Sequence, residues 1–200
     1  MSQLARGEER MLKLNARSQV KAGDKFTTQT KAMAWSPQET ALIICDMWDD
    51  HWCRGAAERV VEMAEPMNKL VAEMREQGVF IIHAPSTCTE FYKDTPARLR
   101  AKNAKFAKTP VALSNTERWG TGWCYPDKER EPELPIDDTD MGCDCEKKCT
   151  ISGPWKRQIK TIVIDDAKDA ITDNGQELYN LIQERHIKHV MIMGLSLIHI

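Results

Sequence analysis

An aspartate at the end of an apolar run is the side chain in this sequence best placed for chemistry. Residues 41–45 read Ala-Leu-Ile-Ile-Cys, and Asp46 follows directly. A carboxylate at the end of a buried strand is costly unless it is paired, hydrogen-bonded or open to a cleft. Asp46 is therefore the first candidate reactive group, with a structural Asp that caps the next turn as the alternative. Cys45 points to the opposite strand face, so we expect a small buried hydrophobic residue there.

A second group of side chains that could do chemistry is the cysteine cluster Cys-Asp-Cys-Glu-Lys-Lys-Cys, which contains Cys143, Cys145 and Cys149. Three thiolates could bind zinc with a fourth ligand, or two of them could form a disulfide. Structural zinc sites usually combine two CxxC-like halves, and no second half is visible here. Cys124 could complete the set only if the fold brings it close. The sequence therefore assigns no metal and no cofactor, and both interpretations stay open.

Two other polar sites carry weaker signals. Asp49, Asp50 and His51 follow the first apolar run, but their spacing does not match that of a known metal site. His83 ends a second apolar run, 79–82, and a histidine at a strand end often hydrogen-bonds only to backbone. We therefore expect structural roles for these residues.

The elements that must position these groups follow a β-α-β pattern. Residues 41–47 and 79–83 are continuous apolar runs typical of buried parallel strands. Between them, residues 55–77 show apolar positions at helical spacing, with Gly78 placed to end the helix. Pro66 lies inside this pattern and predicts a kink or two shorter helices.

A second β-α-β unit closes the chain, with a strand at 161–164, a helix at 175–185 and a strand at 189–194. Alternating strands and helices predict an α/β fold, a doubly wound, Rossmann-like parallel sheet with helices on both faces. Ligands of such sheets bind at the carboxyl ends of the strands. Asp46, His83, Asp165 and Gly194 are all expected there.

The predicted domain organisation has three parts. Residues 1–36 form an N-terminal arm or hairpin, 37–194 form the main domain, and 195–200 form a non-native tail. Within the main domain, residues 85–158 form a long excursion from the predicted sheet. The excursion is too long for an ordinary connection and indicates an insertion or lid over a site. Its basic stretch, 98–108, is interpreted as a solvated helix face and not as a nucleic-acid surface.

Composition narrows the class of protein. The chain has 28 Lys and Arg against 30 Asp and Glu, a net charge of −2, which gives no general attraction to nucleic acid or anionic lipid. No apolar run approaches the roughly 20 residues that a membrane span needs. Seven cysteines, several of them scattered singly, suit a reducing compartment. We expect a cytoplasmic protein that binds neither nucleic acid nor a membrane.

Residues 41–49, Ala-Leu-Ile-Ile-Cys-Asp-Met-Trp-Asp, resemble the first-strand signature of the isochorismatase-like cysteine hydrolases. That superfamily includes nicotinamidases and N-carbamoyl-amide hydrolases. Its apolar run precedes D-M/T-Q-x-D/E-F, and Trp48 stands here in place of the Gln. The strand ending in His83 and the closing run 190–194 match the same framework. The resemblance covers about residues 35–194, and it implies a small-molecule substrate and self-association into a homo-oligomer.

The resemblance also implies a catalytic triad of Asp, Lys and Cys that hydrolyses an amide C–N bond through a thioester. Asp46 would take the proton of the thiol, and the lysine would supply the positive charge that favours a thiolate. The family pattern K-x-x-x-S-A-F aligns with residues 165–171. Asp165 then stands at the lysine position, and Lys168, three residues later, is the candidate charge partner.

The nucleophile is the largest departure from the family pattern. The family continues its last strand as G-x-x-T-x-x-C, whereas Gly194 is followed here by Leu-Ser-Leu-Ile-His-Ile. We expect this hexapeptide to be foreign, and the chain to lack its nucleophilic cysteine and to be inactive as it stands. Two alternatives remain: ether hydrolysis of the isochorismatase type without a cysteine, and a non-catalytic module in which Cys143, Cys145 and Cys149 hold a metal.

Overall fold

The computed structural model describes residues 11–23, 25–110, 142–143 and 145–194. Cys124, the tail 195–200 and residues 111–141 of the expected insertion lie outside the described residues. The first described elements are two antiparallel strands, β1 (Leu12–Ala22) and β2 (Lys25–Trp35), which pair as a hairpin. Most of the hairpin is exposed. Its base is anchored where Leu12 is buried and Trp35 stacks on His189, with ring centroids 4.4 Å apart.

Four parallel strands form the central sheet. They are β3 (Thr40–Cys45), β4 (Phe80–Ala84), β5 (Ala170–Ile171) and β6 (His189–Gly194), in the order β5-β4-β3-β6. β3 and β4 carry apolar side chains on both faces, as buried parallel strands require. The predicted α/β class is confirmed at this level: a parallel sheet flanked by helices.

Helices cover both faces of the sheet. They are α1 (Arg54–Glu76), α2 (Pro96–Lys102) and α3 (Gly175–Glu184). On one face, Leu42 and Ile44 of β3 pack in a core with Val71 of α1. On the other face, Ile43 packs in a core with Leu181 of α3. Alternate residues of one strand thus face opposite helical layers, because successive side chains of a strand point to opposite sides.

Helix α1 runs unbroken through Pro66, so the two-helix alternative was wrong. Pro66 lies on the exposed face of the helix. The carbonyl that loses its partner there, on Glu62, belongs to an exposed residue and is accessible to water, which limits the cost of the proline. Gly78 follows the helix with φ of +96°, the left-handed conformation that the sequence predicted for a helix end.

Residues 161–164 are not a strand, contrary to the prediction. The backbone N–H of Val163 donates to Asn68 Oδ1 at 3.0 Å, and the Val163 carbonyl accepts from Arg75. Both partners are side chains of α1, so the segment lies against the helix. The position beside β4 belongs instead to the two-residue strand β5. Ile162 is buried, which explains the apolar pattern without a sheet partner.

The first part of the excursion after β4 belongs to the helical layer. Thr89–Tyr92 form a 3₁₀ turn, and α2 follows it and packs near α3 and β5. Arg98 of α2 is paired with Glu177, and Arg100 donates to the carbonyl of Asp169. At these two positions the prediction of a solvated helix face was wrong, because both side chains bind groups within the protein. None of the described helices has the length and apolar character that a membrane crossing requires.

Candidate active site

Asp46 lies at the carboxyl end of β3, an inner strand with β4 on one side and β6 on the other. Its φ of +49° is in the left-handed region, which is uncommon for a residue other than glycine. Two bonds hold it there: its N–H donates to the Ala84 carbonyl at 3.1 Å, and its Oδ1 accepts from Ser86 N–H at 2.9 Å. The half-buried carboxylate is thus fixed against the loop that follows β4.

Gly194, at the end of β6, lies in the sheet directly beside Cys45, the residue that precedes Asp46. It pairs with Cys45, and a Cβ added to Gly194 would stand 1.9 Å from the Cys45 carbonyl oxygen. Its φ of +133° is also a conformation that side chains disfavour. The glycine therefore allows a close backbone approach between the end of β6 and the end of β3.

Aromatic rings stack beside the same loop. Trp48 and Trp155 are parallel, with ring centroids 4.3 Å apart, and His51 stacks on Trp155 at 5.5 Å. The Trp48 indole donates to the Ser86 carbonyl at 3.1 Å, and the Trp155 indole donates to Thr87 Oγ1 at 2.9 Å. Because Ser86 also binds Asp46, the stack and the carboxylate share one anchoring loop. Each ring is partly exposed, so the stack forms a flat apolar wall.

The returning end of the excursion is attached to the loop after β3. Ile159 N–H donates to the Met47 carbonyl at 2.7 Å, and Trp48 pairs with Gln158 in an antiparallel bridge. Asp49 accepts from the backbone of residues 156–157 and is paired with the Arg157 guanidinium at 3.5 Å. Asp49 thus has a structural role, and Arg157 brings a positive charge to the loop after β3.

Lys168 does not lie near Asp46. It precedes β5, at the amino-terminal edge of the sheet, and lines a surface pocket of about 440 Å³ together with Gly78 and Phe80 at the start of β4. Its ammonium group is 65% exposed and lies 3.6 Å from Asp165. Asp46 follows the opposite, carboxyl-terminal edge, so the structure does not bring the two predicted catalytic residues together. Asp165 pairs with Lys168, and its backbone N–H donates to the Asp169 carboxylate.

His83 belongs to a buried polar network, which corrects the expectation of a simple backbone contact. Its Nδ1 faces Gln158 Oε1 at 2.9 Å, and its Nε2 faces Asp169 Oδ2 at 3.0 Å. The Gln158 amide nitrogen donates to the Ile162 carbonyl, so its oxygen must face the ring. Both ring nitrogens therefore face oxygen atoms within hydrogen-bond distance.

Asp169 is the centre of this network. Its side chain is 1% exposed and accepts from His83, from the Arg75 guanidinium and from Asp165 N–H. Burial by itself raises the pKa of Asp169, but the hydrogen bonds from His83 and Arg75 outweigh it and hold the pKa below its ordinary value. The network joins β4, α1 and the start of β5.

Two thiols close to the carboxyl edge are unsuited to act as nucleophiles. Burial raises the pKa of Cys45 to about 11, and the charge of Asp46 adds to the effect. Burial likewise raises the pKa of Cys88 to about 11, with Asp49 as the next cause. Only the thiolate form attacks, so both stay protonated near neutral pH. The expected nucleophile position after Gly194 lies outside the described residues.

Three thiols come together at the start of α1. The Sγ atoms of Cys53, Cys143 and Cys145 all lie within 4.8 Å of one another. Cys149 lies next to the same group, but its Sγ is not among the three that lie within 4.8 Å of one another. Backbone N–H groups of Cys145 and Cys149 lower the pKa of Cys143 to about 7.

Sequence reasoning missed Cys53, Trp155 and Arg157. Cys53 lies 90 residues or more from the other cluster members, so only the fold could reveal the contact. Comparison with known proteins adds nothing to the site, because no family model matches the chain and no curated protein matches it significantly.

Proposed function

We propose that this protein is a small-molecule hydrolase of the isochorismatase-like type, which cleaves an amide C–N bond with Asp46 as the general base. The observation that carries the proposal is the position of Asp46 between β4 and β6, at the carboxyl edge where α/β folds gather their chemistry. Its left-handed backbone and the bond from Ser86 orient the carboxylate. The resemblance of residues 41–49 to the family signature supports the same role.

The reaction needs a thiol within reach of this carboxylate. In the proposal the thiol is the cysteine that the family pattern places after Gly194, a cysteine that residues 195–200 of this sequence do not include. Asp46 takes the thiol proton, the sulfur attacks the substrate carbonyl carbon, and the C–N bond breaks as the amine leaves with a proton. Water then attacks the thioester, which releases the acid and returns the thiol.

Positive charge and substrate contacts come from the same edge. Lys168 receives no role, because it lies at the other edge of the sheet. Arg157, paired with Asp49, is a cation on the loop beside the site. The wall formed by Trp48, Trp155 and His51 favours a planar substrate group that can stack on it.

The test uses the protein expressed with the sequence that genomic DNA gives after codon 194. The purified protein is incubated with a panel of aromatic and aliphatic primary amides and N-carbamoyl compounds, and released ammonia or amine is measured. Mass spectrometry of the quenched reaction should detect an acyl adduct on a cysteine after β6. Turnover of ether substrates without such an adduct would favour the isochorismatase-type reaction, and no turnover in either class would refute the proposal.

A further inference from the structure

The geometry points to a tetrahedral zinc site built from Cys53, Cys143, Cys145 and Cys149. The site would attach residues 143–149 of the excursion to the first turn of α1. Cys53 precedes Arg54, the first residue of α1, and the other three cysteines come from a segment about 90 residues later. The inference does not depend on the proposed hydrolase activity.

The sulfur spacing already suits a metal. Cys53 Sγ and Cys145 Sγ lie 3.9 Å apart, and Cys143 Sγ lies within 4.8 Å of both. A tetrahedral zinc with Zn–S bonds of about 2.3 Å requires sulfur atoms separated by about 3.8 Å. Three of the four sulfur atoms thus stand close to the corners of such a site. Cys149, which lies next to the group, is the fourth ligand in this inference, and its Sγ must move closer to reach the remaining corner.

Backbone donors surround these sulfur atoms. Gly55 N–H donates to Cys145 Sγ at 3.4 Å, and the backbone of Ala56 hydrogen-bonds to Cys53. The backbone of Arg54 makes the same kind of bond to Cys149. Such outer contacts orient the ligands of a metal and stabilise their negative charge.

The start of α1 has an unusual composition that the site explains. Its N-cap is Cys53, which makes no side-chain capping bond, and its first turn holds no acidic residue. Helix starts usually use Ser, Thr, Asp or Asn as caps and favour negative charge. In the zinc-bound site thiolates would supply that charge, and Gly55 N–H in the first turn already donates to Cys145 Sγ.

The ligand set selects the kind of ion. Four sulfur ligands suit zinc or a single iron and disfavour magnesium and calcium, which require oxygen ligands. Zinc with four thiolates leaves a net charge of −2, and the side chains of Arg54, Lys147 and Lys148 are adjacent in sequence to the ligands. Because the four cysteines supply every ligand, the site would be structural and would leave no position for substrate.

Zinc content of the whole chain tests the site. The protein is purified with a thiol reductant, incubated with excess zinc, desalted and analysed for metal by mass spectrometry. We expect one zinc per chain in the wild type and in Cys88→Ser, a matched control that alters a buried cysteine outside the cluster. Cys53→Ser should weaken zinc binding by more than the roughly 10–100-fold typical of outer-shell changes.

A wild type that retains no zinc, or a Cys53→Ser protein that binds it as tightly as the wild type, would overturn the inference. A second measurement covers variants that fail to fold. The wild-type chain is alkylated with and without zinc, and the modified cysteines are identified by peptide mass. Protection by zinc confined to the four cluster cysteines supports the site. An unchanged pattern, or a disulfide among them that persists in reductant, refutes it.

Discussion

Replacing Asp169 by asparagine should destabilise the protein far more than the removal of a charge from an exposed residue. The side chain is buried and accepts hydrogen bonds from Arg75, His83 and Asp165 N–H. Asparagine keeps the shape but removes the negative charge. It also places an amide N–H₂ group where the carboxylate now meets donors.

The magnitude follows from what the substitution leaves behind. The side chain of Arg75 is 11% exposed, so the substitution leaves a largely buried guanidinium without its counter-charge, and the fully buried ring of His83 loses a carboxylate partner. Removal of one partner from a buried ion pair costs about 3–5 kcal/mol. Against a total unfolding free energy of roughly 5–15 kcal/mol, this is a large fraction.

Urea denaturation followed by tryptophan fluorescence and circular dichroism measures the effect. Asp94→Asn is the matched control, because Asp94 is exposed and its replacement should change the unfolding free energy by at most about 0.5 kcal/mol. A loss below about 1 kcal/mol for Asp169→Asn would contradict the buried network.

The same residue predicts the response to acid. The folded pKa of Asp169 lies below its ordinary value of 3.8, so its stabilising effect is complete above that value and is lost as the pH falls through the folded pKa. The wild type should therefore lose stability below about pH 4 more steeply than Asp169→Asn. Equal slopes for the two proteins would show that Asp169 is not held in its charged form.

Three further changes test the fold and the cysteine cluster. Gly194→Ala should lower the unfolding free energy by several kcal/mol or prevent folding, because the added Cβ would stand 1.9 Å from the Cys45 carbonyl oxygen. Gly175→Ala is the control and should be tolerated, because no atom lies within 4 Å of its added Cβ. Equal melting temperatures for the two variants would refute this prediction. Asn174→Ala removes the cap of Gln176 and Glu177 N–H and should cost about 1 kcal/mol in urea denaturation. Zinc at about 100 times its dissociation constant should stabilise the chain by about 2.7 kcal/mol, and chelation should lower the melting temperature accordingly; no response to chelation would contradict a structural zinc.

The parallel sheet could be predicted because its strands are buried on both faces. Residues 41–45 and 79–82 form continuous apolar runs, the pattern of parallel strands that are buried on both faces. The helix between them follows from its spacing of apolar residues. The strand expected at 161–164 was wrong because side chains of α1, Asn68 and Arg75, bond its backbone, and such long-range partners leave no local pattern.

The sequence predicted one residue of the candidate site, Asp46, but not the residues that surround it. Asp46 follows from strand logic, since it ends an apolar run. The partnership of Trp48 with Trp155, and of Cys53 with Cys145, depends on how the excursion returns to the loop after β3. Lys168 was selected by alignment to a family motif, and the structure places it in a pocket beside the start of β4, whereas Asp46 follows the end of β3.

The most direct test of the proposed function measures kcat/KM for amide hydrolysis by the protein and by its Asp46→Asn and Asp173→Asn variants. Asp173 is a matched control, because it accepts from Thr87 N–H at 3.0 Å much as Asp46 accepts from Ser86 N–H at 2.9 Å. If Asp46 is the base, its replacement lowers kcat/KM by about 10²–10⁴-fold, while Asp173→Asn changes it little. Equal, small losses in both variants would show that Asp46 only anchors the loop.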